Sequence, residues 1–170
     1  MGDYSFGKCD SIKVKVFIDR IVAFLRACIA RRRCDAALTE KQKTGIWGEQ
    51  IAVKTLKDKG YSIVGKRVRP DAKNDEIDII ASKGRMLVFV EVKTRKDERF
   101  GRPASAVDRR KKQALCRGAA AFLRHSNYPD FCYRFDIIEV VGTREAPEPP
   151  VVRHIEDAFR FPLRYRFPTR

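Results

Sequence analysis

Apolar positions change their spacing several times along the chain, and each change predicts an element. Phe17, Ile21, Phe24, Leu25 and Cys28 recur at helical intervals before Arg31-Arg32-Arg33, which predicts an amphipathic helix within residues 1–38. Such a helix either packs on its own domain or lies on a membrane or nucleic acid. Residues 40–59 predict a second helix, with Gly48, Ile51, Ala52 and Leu56 on one side and Gly60 as its stop. Residues 61–69 read as a strand and residues 70–75 as a polar loop. EIDIIA (76–81) and MLVFVEVKT (86–94) are strong strand candidates, and the short link Ser82-Lys83-Gly84-Arg85 makes them a hairpin. After a basic loop at 95–103, Ser105 can cap a helix that runs to about Arg124, with Asp108 as its first-turn acid. Val107, Lys111, Ala114, Leu115, Gly118, Phe122 and Leu123 share the buried side of that helix. FCYRFDIIEVV (131–141) predicts another strand, EAPEPP turns the chain, and residues 151–155 form a last short strand before a helical turn at 156–159. This order predicts an α/β fold, a central mixed β-sheet flanked by helices. It divides the chain into an N-terminal extension (1–38), a domain (39–160) and a basic, aromatic C-terminal tail (161–170).

Composition narrows the partners. The chain has 170 residues, 44% of them hydrophobic, enough to bury the core of one domain. Lys and Arg number 37 against 22 Asp and Glu, a formal net charge of +15. That surplus favours a polyanionic partner, because each cation placed on a phosphate releases counterions. Cys9, Cys28, Cys34, Cys116 and Cys132 are scattered without a C-x-x-C pair, a pattern from which neither a disulfide framework nor a zinc site follows. Reduced thiols and the lack of a secretory signal point to the cytoplasm. Lys13, Lys15, Asp19, Arg20 and Arg26 interrupt the apolar stretch at 12–29, which excludes an ordinary membrane span and stable membrane insertion. No Gly-rich nucleotide loop, Ser/His triad or Cys nucleophile stands out.

Charged residues inside apolar strands carry the candidate chemistry. Glu91 and Lys93 lie within a run of Val88, Phe89, Val90 and Val92, and Asp78 lies between Ile77 and Ile79. A buried charge is costly unless it is paired or bound to a metal. If Lys83-Gly84 is a two-residue turn, Asp78 faces Phe89 and Glu76 faces Glu91. Asp78, Glu91 and Lys93 then share one face, with Asp78 and Glu91 as diagonal neighbours. A three-residue turn would separate them. Two close carboxylates suit Mg²⁺ or Mn²⁺, with the Val92 carbonyl as a further ligand. Lys93 would then orient or help deprotonate a water and stabilise developing charge. The alternative is a salt-bridge cluster, Asp78–Lys93 or Glu91–Lys93, with no metal.

The run GIWGEQIAVKTLKDKGYSIV, followed by EIDIIA, LVFVEVKTR, FGRPASAV, RFDIIEV and HIEDAF, resembles the YraN family of bacterial proteins over about residues 45–160. That family is similar to restriction-endonuclease-like and Holliday-junction-resolvase-like nucleases. The resemblance implies a restriction-endonuclease-like fold with Asp78, Glu91 and Lys93 as a catalytic D…ExK triad. It implies Glu49, Asp78 and Glu91 as metal ligands, although Glu49 also reads as an ordinary exposed helix residue. Lys111 matches a basic family position and would touch a phosphate or the metal site, or simply snorkel. The family usually has Gly before Glu76, where this chain has Asp75.

Arg95, Lys96, Arg99, Arg102, Arg109, Arg110 and Lys112 follow the triad, either as phosphate-positioning cations or as a solvated basic face. Arg95, Arg99, Arg102, Arg110 and Lys111 are the nucleic-acid-binding candidates. Phe159, Phe161, Tyr165 and Phe167 are expected to cover the core edge rather than stack on bases. Asp136 is expected to pair with Arg134 or with a helix, and His125 and His154 to be structural. The expectation is a metal-dependent endonuclease acting on DNA, on branched or structured DNA by resemblance, and as a homodimer if it makes symmetric cuts. The alternatives are a nucleic-acid-binding module of the same fold without turnover, or an adaptor acting through residues 12–33.

Overall fold

A computed structural model of the chain describes residues 38–71, 75–97, 108–127, 131–163 and 165. The expected N-terminal helix, Ser105 and Val107 lie outside these residues. Helix α1 (Glu40–Asp58) opens on Thr39, whose hydroxyl accepts from Gln42 N–H while the Gln42 side chain accepts from Thr39 N–H. This reciprocal capping box satisfies donors that the first turn leaves orphaned. The strands are β1 (Ser62–Val68), β2 (Ile77–Lys83) and β3 (Met86–Arg95). They are followed by helix α2 (Arg109–His125), β4 (Cys132–Val141) and β5 (Val151–Phe159).

The strands form one five-stranded sheet in the order β1-β2-β3-β4-β5. Its pairs are antiparallel except β3–β4, which is parallel and spans the stretch that contains α2. The sheet is therefore mixed, with both faces covered as its apolar strands require. Val88 and Val90 of β3 face Ala52 and Leu56 of α1, together with Ile79, Ile138 and Val140. The alternate residues Leu87 and Phe89 face Leu115, Ala119 and Phe122 of α2, together with Ile80 and Phe135. Strand alternation thus assigns one helix to each face. Phe161 and Tyr165 pack on the α2 side of the core, and Phe159 stacks on Phe135 at 4.7 Å. The tail aromatics that can be placed cover the core edge.

Three expectations are corrected. The cap of α2 is Asp108, whose carboxylate accepts from Arg110 N–H, rather than Ser105. Strand β5 continues through Phe159, where a helical turn was expected at 156–159. A register shift between Phe135 and Ile137, with Asp157 at φ 48°, keeps the strand on β4. There Asp157 N–H donates to the buried Asp136 Oδ1, so pairing at the sheet edge overrides local helical preference. The hairpin turn is Gly84-Arg85 instead of Lys83-Gly84, since Lys83 pairs with Met86 and Ser82 with Leu87. Gly84 has φ 56°, the positive value that two-residue hairpin turns of type II′ need at their first central position.

Among the described residues no helix is long and apolar enough to cross a membrane.

Candidate functional site

The corrected turn slides β2 against β3 by two residues. Because side chains repeat every second residue, the faces are unchanged but the neighbours differ. Ile79 pairs with Val90, so the next position sets Asp78 directly opposite Glu91, not Phe89. At that point the Asp78 side chain takes over from the ladder, with Oδ2 accepting from Val92 N–H over 2.8 Å. Asp78 is largely withdrawn from solvent. Burial, then the Glu91 carboxylate, push its pKa from 3.8 to about 7, against the opposing pull of Lys111 and the Val92 N–H.

Glu91 faces the α2 side and is 2% exposed. Lys93 Nζ lies 2.9 Å from its Oε1 and Lys111 Nζ 3.1 Å from its Oε2. Oε2 is buried without a well-aligned hydrogen bond, so Lys111 balances it by charge more than by direction. Burial would lower the Lys111 pKa, but Glu91 and Asp78 outweigh it and leave it raised. The lysine on the apolar side of α2 thus reaches the site as a fixed cation.

Glu49 arrives from the other face. Helix α1 lies so close to β3 at Gly48 that a Cβ there would stand 1.9 Å from Thr94 Oγ1. Only glycine permits that approach, and Glu49, the next residue, is thereby carried to the strand ends. Carboxylate oxygens of Glu49, Glu76 and Asp78 lie within 4.8 Å of one another. Glu76 is the residue that sequence reasoning missed. The slipped register had matched it with Glu91, and its alternation with Asp78 in EID was the available signal. Burial would raise its pKa, but the Arg67 hydrogen bond and the charges of Arg69 and Arg67 leave it lowered. Arg67 Nε stands 3.1 Å from Glu76 Oε1, and Arg69 stands 2.6 Å from Oε2.

The donor set fits a hard divalent cation. Oxygens bound to one Mg²⁺ each lie about 2.1 Å from it, hence up to about 4.2 Å apart, so a small side-chain adjustment would close the Glu49–Glu76–Asp78 group. The buried Glu91 Oε2, poorly hydrogen-bonded but 3.1 Å from Lys111 Nζ, is a further oxygen that could join once that lysine turns away. All but Glu76 line a cleft of about 720 Å³ that extends past Thr94 and Lys96 to Thr143 and the first turns of α1.

Against known proteins, the family model described as "Uncharacterised protein family UPF0102" matches residues 48–140. The chain belongs to the UPF0102 family. This is the YraN family of the restriction-endonuclease-like superfamily, in line with the motifs and with the mixed sheet between two helices. A UPF0102 protein of Caldanaerobacter subterraneus subsp. tengcongensis is 42% identical over 119 residues, covering 70% of this chain and 96% of the relative. One from Geotalea daltonii is 42% identical over 120 residues (71% and 91%), and one from Phocaeicola vulgatus 39% over 126 residues (74% and 99%).

Other residues of this UPF0102 protein fall into place around the cluster. Asp75 sends both carboxylate oxygens to Arg117 of α2 at 2.8 Å, which ties the loop before β2 to the helix. Arg110 is exposed on the first turn of α2, and Arg95 ends β3, its carbonyl accepting from Gly142 N–H. Arg99 and Arg102 lie outside the described residues. Asp136 does pair with Arg134, and its other contacts come from β5 instead of a helix: His154 Nε2 at 2.7 Å and Asp157 N–H at 3.0 Å. His154 therefore belongs to a buried structural network, with Lys59 Nζ 3.1 Å from its Nδ1. His125 lies 3.2 Å from Asp71 at the surface.

Proposed function

We propose that this UPF0102 protein is a metal-dependent endonuclease that hydrolyses phosphodiester bonds in DNA, with Mg²⁺ or Mn²⁺ as cofactor. The observation that carries the reading is the convergence of Glu49, Glu76 and Asp78, with Glu49, Asp78 and the Lys93-paired Glu91 lining one cleft. Glu49, Asp78 and Glu91, with Glu76 added, would hold the ion. When bound, it supplies charge neutralisation at the phosphate and activation of a water. Lys93, released from Glu91, orients the attacking water, accepts hydrogen bonds from none and donates to the developing oxyanion. Lys111 donates to a phosphate oxygen from the α2 side. Asp78 is kept in register by Val92 N–H, which would hold its carboxylate oriented for an ion at the cluster. Arg95 and Arg110, with Arg99 and Arg102, position flanking phosphates. The protein acts in the cytoplasm, on branched or structured DNA, as a homodimer whose two sites make paired cuts.

A second reading has its own observation. Both Glu91 oxygens already face lysines, an arrangement that also suits a nucleic-acid-binding module without turnover. Incubating the purified protein with branched, single-stranded and duplex DNA, with Mn²⁺ or with chelator, separates the two. Metal-dependent cleavage lost in Asp78→Ala and Lys93→Ala supports the nuclease. Salt-sensitive binding without cleavage selects the module, and cleavage that survives both substitutions would falsify the site. Light scattering of the protein–DNA complex reads the dimer directly.

A further inference from the structure

Arg67 is unusual in two respects. It lies at φ 50°, in the left-handed region that long side chains seldom adopt, one residue before the end of β1. From there its Nε stands 3.1 Å from Glu76 Oε1 and 3.6 Å from Glu49 Oε1. Those are two of the three carboxylates that could share an ion. Glu49, Glu76, Asp78 and Glu91 are matched by Arg67, Arg69, Lys93 and Lys111, one cation for each acid. A divalent ion entering this set meets as many cations as acids, with Asp78 only part ionised near pH 7, so its entry is eased when a resident cation turns away. Lys93 and Lys111 lie on Glu91, and Arg69 holds the Oε2 of Glu76. Arg67 makes ion pairs with two members of the carboxylate group, Glu49 and Glu76. Its side chain is 33% exposed, which leaves it a way out to solvent.

We propose that Arg67 is a resident counter-cation of the carboxylate cluster, which swings away when a divalent ion takes Glu49 and Glu76 together. It is a positioning residue that sets the ion concentration at which the site fills. This rests on the metal-site reading above. Neither charge nor shape then favours an arginine for tight binding; its effect is to keep the acids together and the affinity moderate.

Mn²⁺ titration of chelator-treated protein by calorimetry tests this, with wild type, Arg67→Gly, Arg67→Asn, Arg67→Lys and Asp78→Asn at one ionic strength. Glycine and asparagine both tolerate positive φ, so either variant reports if the other folds poorly. Both are expected to bind Mn²⁺ at least about fivefold more tightly than wild type, because a unit charge a few ångströms from the ion is removed. Arg67→Lys is expected to lie between them and wild type. Thermal shift supplies a second readout: Mn²⁺ should raise the melting temperature of Arg67→Gly more than that of wild type. Unchanged or weaker affinity in both neutral variants, while wild type binds and Asp78→Asn does not, overturns the role of Arg67 and leaves the metal site standing. If wild type takes up no Mn²⁺, the metal-site reading fails and the inference falls with it.

Discussion

The Val92 backbone N–H donates to Asp78 Oδ2 over 2.8 Å, so β3 holds in place a carboxylate that β2 contributes. The bond anchors one end of Asp78 while burial and Glu91 press against its charge. Its carboxyl is therefore neutral over much of the range in which an unfolded chain would ionise it.

The sign of the pH effect follows. With a folded pKa of about 7 against 3.8, Asp78 contributes stability that is fully present below about pH 4. That contribution is lost as pH rises through 7. Asp78→Asn removes the titration, so the variant and wild type should melt alike near pH 4. Above pH 7 the variant should be the more stable by about 1–3 kcal/mol in the presence of chelator. Mn²⁺ should reverse the order, because only wild type offers the carboxylate. Melting curves from pH 4 to 8 with and without the ion check this; a constant offset across the range would contradict it.

Gly48 makes a second prediction. A methyl at this position meets Thr94 Oγ1 at 1.9 Å and the Thr94 Cβ and Cγ2 at 3.1 and 3.2 Å. Rotating the hydroxyl relieves only the first contact, so α1 must lift from β3. Gly48→Ala should cost about 1–3 kcal/mol from overpacking, less the roughly 1 kcal/mol that alanine gains over glycine in a helix. It should also weaken Mn²⁺ binding, since Glu49 moves with the helix. Thr94→Ala in the same chain removes Oγ1 and Cγ2 but keeps the Cβ, so it should restore both in part, a coupling that a double-mutant cycle reads directly.

The elements that position these residues were legible for identifiable reasons. Residues 40–59 carry apolar side chains at helical spacing with Gly60 as their stop, and 86–94 are a nearly continuous apolar run that suits a strand covered on both faces. The shared face of Asp78 and Glu91 survived a turn placed one residue early, because the resulting slip was two residues and side chains alternate with period two. Glu76 was legible as a site residue only through its alternation with Asp78 in EID. Its place depends on Arg67 and Arg69 and on the unusual backbone at Arg67, which no local pattern announces. The extension of β5 was hidden for a similar reason: Asp157 is held in a strand by Asp136, distant in sequence.

Asp136 separates structure from chemistry. It is wholly buried, and Arg134, His154 and the Asp157 N–H converge on it. Asp136→Asn keeps the shape but removes the charge that balances Arg134, and should destabilise the fold by about 3–5 kcal/mol. None of its contacts is with the carboxylate cluster, so the Mn²⁺ affinity of the folded variant should stay within about twofold of wild type. A large loss of affinity below the melting transition would instead make Asp136 part of the site.

Glu91 tests the two functional readings from the other side. Its carboxylate faces Lys93 and Lys111, whose side chains remain 30% and 34% exposed. Glu91→Gln strands two cations that can still turn toward water, so the stability loss should be moderate, about 1–3 kcal/mol. The consequences for DNA diverge. With the acid neutralised, both lysines are free for phosphates, and binding in chelator should tighten with a steeper dependence on salt, by up to about one unit of slope per lysine recruited. Metal-dependent cleavage should fall by orders of magnitude if the site is catalytic, because an ion ligand and the partner of Lys93 are lost together. A binding module would show the first change and have no cleavage to lose. Salt titrations of DNA affinity beside single-turnover cleavage, on wild type and Glu91→Gln, distinguish these outcomes. Tighter binding without any loss of turnover would mean that Glu91 restrains the lysines and takes no part in hydrolysis.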